Sequence, residues 1–215
     1  LYRKYDAAQG LTHFVASYSN VSESRSVGPN LSLIKSFVCV DGKDWQTSSV
    51  ENSKDFSLAN LIKTRDSRFE ASFYHKPTVK SKSCYPYPVK SIPRSALKYI
   101  EVKGGAPDVE YTSVNNRNGE LFLRYAEVLR DWIEAKAELS ALGAGSGTQE
   151  DIDLSVNKIR NRPLAQEAVE RGVQKTAPME LAALPDDPSR DSDVPALLWE
   201  IRRERRMEFA FEHSR

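Results

Sequence analysis

From about residue 118 onward, apolar side chains recur at helical spacing; before it, little periodicity is sustained. Leu121, Tyr125, Val128, Leu129, Trp132, Ala135, Leu139 and Leu142 gather on one face when the chain is wound as a helix. The pattern predicts a helix over 118–142, with Asn118 as N-cap, its side chain accepting from free backbone N–H groups. Gly143 supplies the C′ position, where a left-handed backbone costs glycine little. After the linker Gly143-Ala144-Gly145-Ser146-Gly147, the run Thr148-Gln149-Glu150-Asp151 has the form of a capping box. It opens a second helix with Ile152, Val156 and Ile159 as its stripe, and Pro163 stops it.

Two helices joined by so short a loop lie roughly antiparallel. That is a hairpin of tetratricopeptide type, although no second copy recurs at a period of about 34 residues. Residues 165–193 read as a long excursion. Pro178, Pro185 and Pro188, with Asp186, Asp187 and Asp191, argue against regular structure from Ala177 onward. A last helix is predicted from near Asp193 to the end, with Leu197, Leu198, Ile201, Phe209 and Phe211 as apolar contacts. Along it Glu204, Glu208 and Glu212 stack at i, i+4 spacing beside Arg202, Arg203, Arg205 and Arg206. Carboxylates so placed repel by about a few tenths of a kcal/mol per pair. The arginines must compensate, so a salt-bridged, partly buried network is expected.

Residues 1–117 are rich in Ser, Asn, Pro, Lys and Tyr. Short strands are predicted at His13–Tyr18 and Arg68–His75, and a short helix over Leu31–Val40 with Leu33, Ile34 and Phe37 on one face. Turn signals surround them at Gly28-Pro29-Asn30, Asp41-Gly42, Tyr85-Pro86-Tyr87-Pro88 and Gly104-Gly105. The expected fold class is mainly α: tetratricopeptide-like hairpins and an irregular loop-rich segment carrying short strands. By this division 1–117 is a loop-rich, ligand-side segment. Residues 118–215 are a helical scaffold, with a hairpin over 118–162, an excursion over 163–192 and a helix over 193–215. Loops held by a scaffold are where binding groups usually sit.

Charge and composition exclude more than they suggest. With 31 Lys+Arg against 30 Asp+Glu, nothing demands nucleic acid or an anionic membrane. One basic stretch, Lys76 to Lys103, carries interleaved tyrosines, a pattern that can track a nucleic-acid backbone. A solvated face explains it better on a neutral chain. No run approaches the roughly 20 apolar residues of a membrane span. Cys39 and Cys84 form no C-x-x-C and no zinc spacing; they could pair in an oxidising compartment, and two buried free thiols is the favoured reading. His13, His75 and His213 show no mutual metal spacing, no cofactor loop is present, and no Ser sits in a nucleophile elbow. Glu204 and Glu208 could act as an acid/base pair, but an Arg–Glu network accounts for them better. No catalytic residue, metal or cofactor is assigned.

Four segments carry a family resemblance. Leu121-Phe122-Leu123-Arg124-Tyr125-Ala126-Glu127-Val128-Leu129-Arg130, followed by Glu134-Ala135, resembles the R-Y-A-E-V-L-L-x-x-A-E-A helix of the SusD/RagB family. Val156-Asn157-Lys158-Ile159-Arg160-Asn161-Arg162 is similar to its L-N-x-V-R-x-R element. The run from Ile201 to Glu212 resembles its I-x-x-E-R-R-x-E-L-A-F-E helix. Arg65-Asp66-Ser67-Arg68-Phe69 is similar to its R-D-P-R-F/L signature, with Ser67 where proline is usual. The four occur in the family's order and cover roughly 28–215. They mark Arg65, Asp66, Arg68, Arg124, Tyr125, Glu127, Arg160, Glu204, Arg205 and Glu208 as family-signature structural residues. Family members are more than twice this long, so the chain reads as the C-terminal part of one, cut at both ends.

The resemblance implies a surface-exposed outer-membrane lipoprotein that captures oligosaccharides, or in some members peptides, without chemistry. It would deliver them to a SusC-like TonB-dependent transporter, and meet the membrane only through a lipid anchor outside this sequence. Sugars present apolar C–H faces to aromatic rings and hydroxyls to polar side chains. The candidate ligand residues are therefore the loop aromatics Trp45, Tyr74, Tyr85 and Tyr87, Trp45 foremost because it sits in the polar run Asp41-Gly42-Lys43-Asp44-Trp45. Trp132 and Trp199, on helices, are expected in the core. The alternative is a helical-repeat scaffold that binds other proteins. Exposed loop aromatics favour the first reading, and a continuous apolar groove along the helices favours the second.

Overall fold

The structure, a computed structural model, describes residues 2, 3, 5–12, 29–74, 87, 88, 120, 121, 123–145 and 147–210. The chain is mainly helical, as its pattern predicts. It divides into two compact units, one of residues 1–30 and 71–123, the other of residues 31–70 and 124–215.

In the first unit, β1 (Tyr2–Arg3) and β4 (Glu120–Leu121) pair antiparallel, as do β2 (Phe73–Tyr74) and β3 (Tyr87–Pro88). Asp6 and Leu11 exchange two backbone hydrogen bonds of 2.9 Å around a single turn, Ala7–Gln9. The strand predicted at His13–Tyr18 and the basic stretch 76–103 lie outside the described residues, apart from Tyr87 and Pro88.

The second unit opens with α1 (Leu31–Ser36), which ends short of the predicted Val40. Its Ile34 and the following Phe37 are buried as expected, and Phe37 meets Phe69 edge-to-face at 5.4 Å. After α2 (Leu58–Thr64) comes α3 (Ser67–Ser72), where a strand was predicted over Arg68–His75. The side chain of Asp66 decides this. Its Oδ1 accepts from the backbone N–H of Arg68 at 2.9 Å, and its own carbonyl accepts from Phe69 N at 2.8 Å. An Asp placed so satisfies the free N–H groups of a helix start. Among the described residues of that stretch, only Phe73 and Tyr74 are extended.

The long helix α4 runs over Tyr125–Ala141, not from Asn118. Leu121, counted in the predicted stripe, is instead in β4. The C-terminus forms as expected: Gly143 has φ +74°, its N–H donates to Ser140, and Ala144 N–H donates to Leu139 at 2.8 Å, the Schellman closure. α5 comprises Gln149–Ile152, a π turn Asp153–Asn157 and Lys158–Arg160. The Thr148 capping box is present in both directions, and Ile152, Val156 and Ile159 are all buried. In the excursion lie α6 (Gln166–Glu170) and a 3-10 turn, Leu181–Ala183, the latter within the stretch expected to lack regular structure. The last helix, α7, spans Ala196–Glu208 behind Pro195. Proline suits that position, since its missing N–H would have had no helical partner.

Helices α4 and α7 pack through Ile133, Ala137, Leu198 and Ile201. Ala126, Ile159 and Phe209 extend the core at one end, and Ile152, Val156 and Met179 form a third cluster under the 177–184 segment. The buried face of α4 is thus Ala126, Arg130, Ile133 and Ala137. The stripe predicted to face inward is largely turned out: Tyr125, Val128, Trp132, Leu139 and Leu142 are exposed. Trp132 is not a core residue, and Lys136 lies over its ring at 4.7 Å. Trp199 is half-buried. Ala137 packs with Leu198 and Ile201 of α7, Ala126 packs with Phe209 just beyond it, and Arg130 needs a buried acid. These requirements outweigh the size of the side chains on the opposite face.

Candidate functional site

The polar centre of the second unit is a buried cluster around Glu204 of α7. Glu204 Oε1 accepts from Arg160 Nε at 2.9 Å and Nη2 at 2.6 Å, from the end of α5. Its Oε2 accepts from Arg130 Nη2 of α4 at 3.0 Å and meets Arg68 Nη2 of α3 at 2.8 Å. Arg68 also grips Asp66 with two bonds, 2.7 Å and 2.9 Å. Thr176 Oγ1 donates to the same Asp66 at 2.7 Å. One turn along α7, Glu208 takes Arg124 Nη1 and Arg162 Nη2, each at 2.6 Å. Arg68, Arg130 and Arg160 are buried together with Asp66, Glu204 and Glu208, three charges of each sign. Charge-assisted bonds of this length are the strong ones.

The predicted Arg–Glu network is therefore present, drawn from four helices rather than from α7 alone. Burial by itself would raise the Glu204 carboxyl. The guanidiniums of Arg160, Arg68 and Arg130 reverse this and hold it well below the usual carboxylate range. Burial likewise opposes ionisation of Glu208 and Asp66. Arg68, Arg162 and Arg124 overcome it at the first, and Arg68 at the second, so both also titrate low. Arg130 is pushed down to about 10, chiefly by burial. A general acid must hold a proton near working pH, and Glu204 and Glu208 are instead held ionised. This pair is a structural clamp.

A pH dependence follows. Depressed folded-state pKa values contribute stability above the ordinary range near 3.8–4.5. That contribution is lost as pH falls through the lower folded-state values. Stability is expected to be flat from these three acids at neutral pH and to fall steeply below about pH 4. Denaturant midpoints measured down a pH series check it. A midpoint unchanged into strong acid would show that these acids are not paired.

The cluster also carries the loop that holds Trp45. Gly42 has φ +81°, and a Cβ there would stand 3.1 Å from Arg160 Nη1. Glycine is needed for both reasons. Arg160 Nη1 donates to Ala177 O at 2.6 Å, and Ala177 N donates back to Val40 O at 2.7 Å, so loop, excursion and cluster are tied together. Asp41 accepts from Ser48 Oγ at 2.9 Å and Ser49 N at 3.0 Å. Asp44 accepts from Gln46 N at 2.7 Å. Arg65, fully buried, donates to Ser53 O at 2.6 Å and to Cys39 Sγ at 3.0 Å, with its guanidinium 5.4 Å from the Phe56 ring. Burial raises the free thiol of Cys39, which keeps it protonated; Cys84 lies outside the described residues.

Trp45 is half-buried, edge-to-face with Phe56 at 5.3 Å and with Lys35 Nζ 4.8 Å from its ring centroid. Tyr74 and Tyr87 are backbone partners in the β2–β3 pair. Tyr85 and the three histidines lie outside the described residues. Among the signature residues, Arg124 stacks 4.6 Å from Phe209, and Arg205 pairs with Asp131 on α4. Tyr125 is exposed, and Glu127 sits in the first turn of α4. The sequence did not single out Arg130, Arg162 and Thr176, which join the cluster, or Glu200, which is buried one turn before Glu204. Glu200 had a usable signal, since it continues the i, i+4 ladder one turn before Glu204.

The class this defines is a helical scaffold, locked from within by arginine–carboxylate pairs and carrying a fastened loop. The model of the SusD family matches residues 3–215, and the chain belongs to that family. Its members are in general non-catalytic, nutrient-binding proteins of the bacterial surface, typically outer-membrane lipoproteins. Among curated proteins and among solved structures nothing matches the chain. No helix among the described residues is long and apolar enough to cross a membrane.

Proposed function

We propose that this chain serves the non-catalytic capture of oligosaccharides at the bacterial cell surface and their delivery to a SusC-like TonB-dependent transporter. The observation that carries the reading is the family match along residues 3–215. A lipid anchor outside residues 1–215 would hold the protein at the outer membrane. Trp45, Tyr74, Tyr85 and Tyr87 are the proposed ligand residues, because an aromatic face can stack on the C–H face of a sugar. Trp45 is favoured by its loop, whose turns are pinned by Asp41 and Asp44. A ring held in place costs little entropy when a ligand arrives.

Affinity electrophoresis of the intact protein against a panel of soluble polysaccharides tests this. Retardation by at least one glycan is expected, weakened severalfold by Trp45→Ala. Retardation by none would move the ligand class to peptides. Unchanged retardation of Trp45→Ala would remove that residue from the site. A second reading, a helical scaffold that binds another protein, is favoured by the exposed apolar stripe of α4 from Tyr125 to Leu142.

A further inference from the structure

Next to the Glu204 cluster lies a second buried group of charges that its clamp does not use. Glu200 has no exposed surface; its Oε1 accepts from Arg203 Nη2 at 2.7 Å, and its Oε2 is buried with no hydrogen-bond partner among the described residues. The same Arg203 nitrogen also donates to Asp187 Oδ2. Asp187 further accepts from the Trp199 indole Nε1 at 3.0 Å and from Ser189 N at 2.7 Å. Between Leu184 and Val194, Asp187 is the one buried residue. Asp187 is therefore the segment's buried tie to α7, and its carboxylate shares its guanidinium nitrogen with a second acid.

The charged groups facing Glu200 can be named. Arg203 and Glu204 are on its own helix, Asp187 is on the connecting segment, and Arg160 is at the end of α5. Arg130 of helix α4 is bonded to Glu204. Arg160 is likewise committed to Glu204 and to Ala177 O. Among the described residues, this leaves Arg203 as the cation bonded to both Glu200 and Asp187. If both acids are ionised, a buried site holds two carboxylates on one cation with Glu204 ionised one turn away. Such an excess of buried charge is costly. Glu200 cannot relieve it, because its helix position is interior. Asp187 can, because its segment is otherwise at the surface.

We propose that Glu200, Arg203 and Asp187 form a proton-dependent latch: protonated Glu200 leaves Arg203 to Asp187 and keeps segment 185–193 fastened, and ionised Glu200 takes Arg203 and releases the segment. Burial, joined by the Glu204 and Asp187 charges and opposed by Arg203 and Arg160, pushes the Glu200 carboxyl up to about 7. For a carboxyl raised in the folded state, the stabilising contribution is complete below the ordinary value of 4.5 and is lost as pH rises through about 7. The latch is closed in mild acid and open in mild base.

The Trp199 indole N–H reports on the latch directly, because it donates to Asp187. In proton–nitrogen spectra of the whole chain, with the peak assigned by Trp199→Phe, it is expected to titrate between about pH 5.5 and about pH 8.5. The expected midpoint is near 7, moving toward a solvent-exposed indole. Glu200→Gln, neutral and the same shape, should hold the peak at its low-pH position throughout. Asp187→Asn should lose the pH response as well. A peak that does not move in the wild type overturns the proposal. So does a titration that survives in Glu200→Gln, which would assign it to another group. The wild type and Glu200→Gln decide the matter even if Asp187→Asn fails to fold.

Discussion

Glu204→Ala is expected to destabilise the second unit by about 3–5 kcal/mol, the range for removing one partner of a buried ion pair. The reason is what remains behind. Arg160, Arg130 and Arg68 all contact this carboxylate, and all three are buried. Without Glu204, Arg130 keeps no hydrogen-bond partner among the described residues, since its Nε and Nη1 already have none. Arg160 retains Ala177 O and Arg68 retains Asp66. Total stabilities of about 5–15 kcal/mol leave little to spare. Glu138→Ala is the control: Glu138 meets Arg202 at 2.5 Å, but both side chains are nearly half exposed. Exposed pairs are worth about 0–1 kcal/mol. Urea unfolding followed by helical circular dichroism reads both. Equal, small losses would mean that water reaches Glu204.

Ile133→Ala and Trp132→Ala are expected to differ by more than their sizes suggest, and in the opposite order. Ile133 has no exposed surface and packs against Leu198 and Ile201. Cutting it to alanine should cost about 2–5 kcal/mol, because lost burial is joined by a cavity. Its larger neighbour lies on the outward face, where a cation–π contact with Lys136 is worth about 0.5–1 kcal/mol. The same unfolding experiment checks the order. A loss at Trp132 matching that at Ile133 would show the α4 stripe covered in the folded protein and would count against the scaffold reading.

The same helix shows where one-dimensional pattern reading stops. Eight apolar positions at helical spacing predict that a helix exists, and it does. They do not say which face is inside, because size and hydropathy carry no knowledge of the partner. The inward face was chosen by the packing of Ile133 and Ala137 with α7 and by an arginine whose acid lies 74 positions away. Asn118 looked like a cap only because nothing local showed residues 120 and 121 pairing with Tyr2 and Arg3. At Arg68, β-compatible side chains suggested a strand, and the Asp66 cap turned the chain into a helix.

What the sequence by itself determined is local or compositional. It includes the mainly α class, the Thr148 capping box, the Gly143 ending, the Ile152–Val156–Ile159 stripe and the need of the α7 carboxylates for arginine partners. These depend on neighbours within a turn or two and on charge balance, and both can be read along a chain. Only the tertiary structure decided which arginines answer. It also joined residues 31–70 to the helical unit, required Gly42 to pass Arg160, and left Arg203 shared by Asp187 and Glu200. Each of these is a meeting of residues far apart in the chain, fixed by packing and by the cost of leaving a buried charge without its partner.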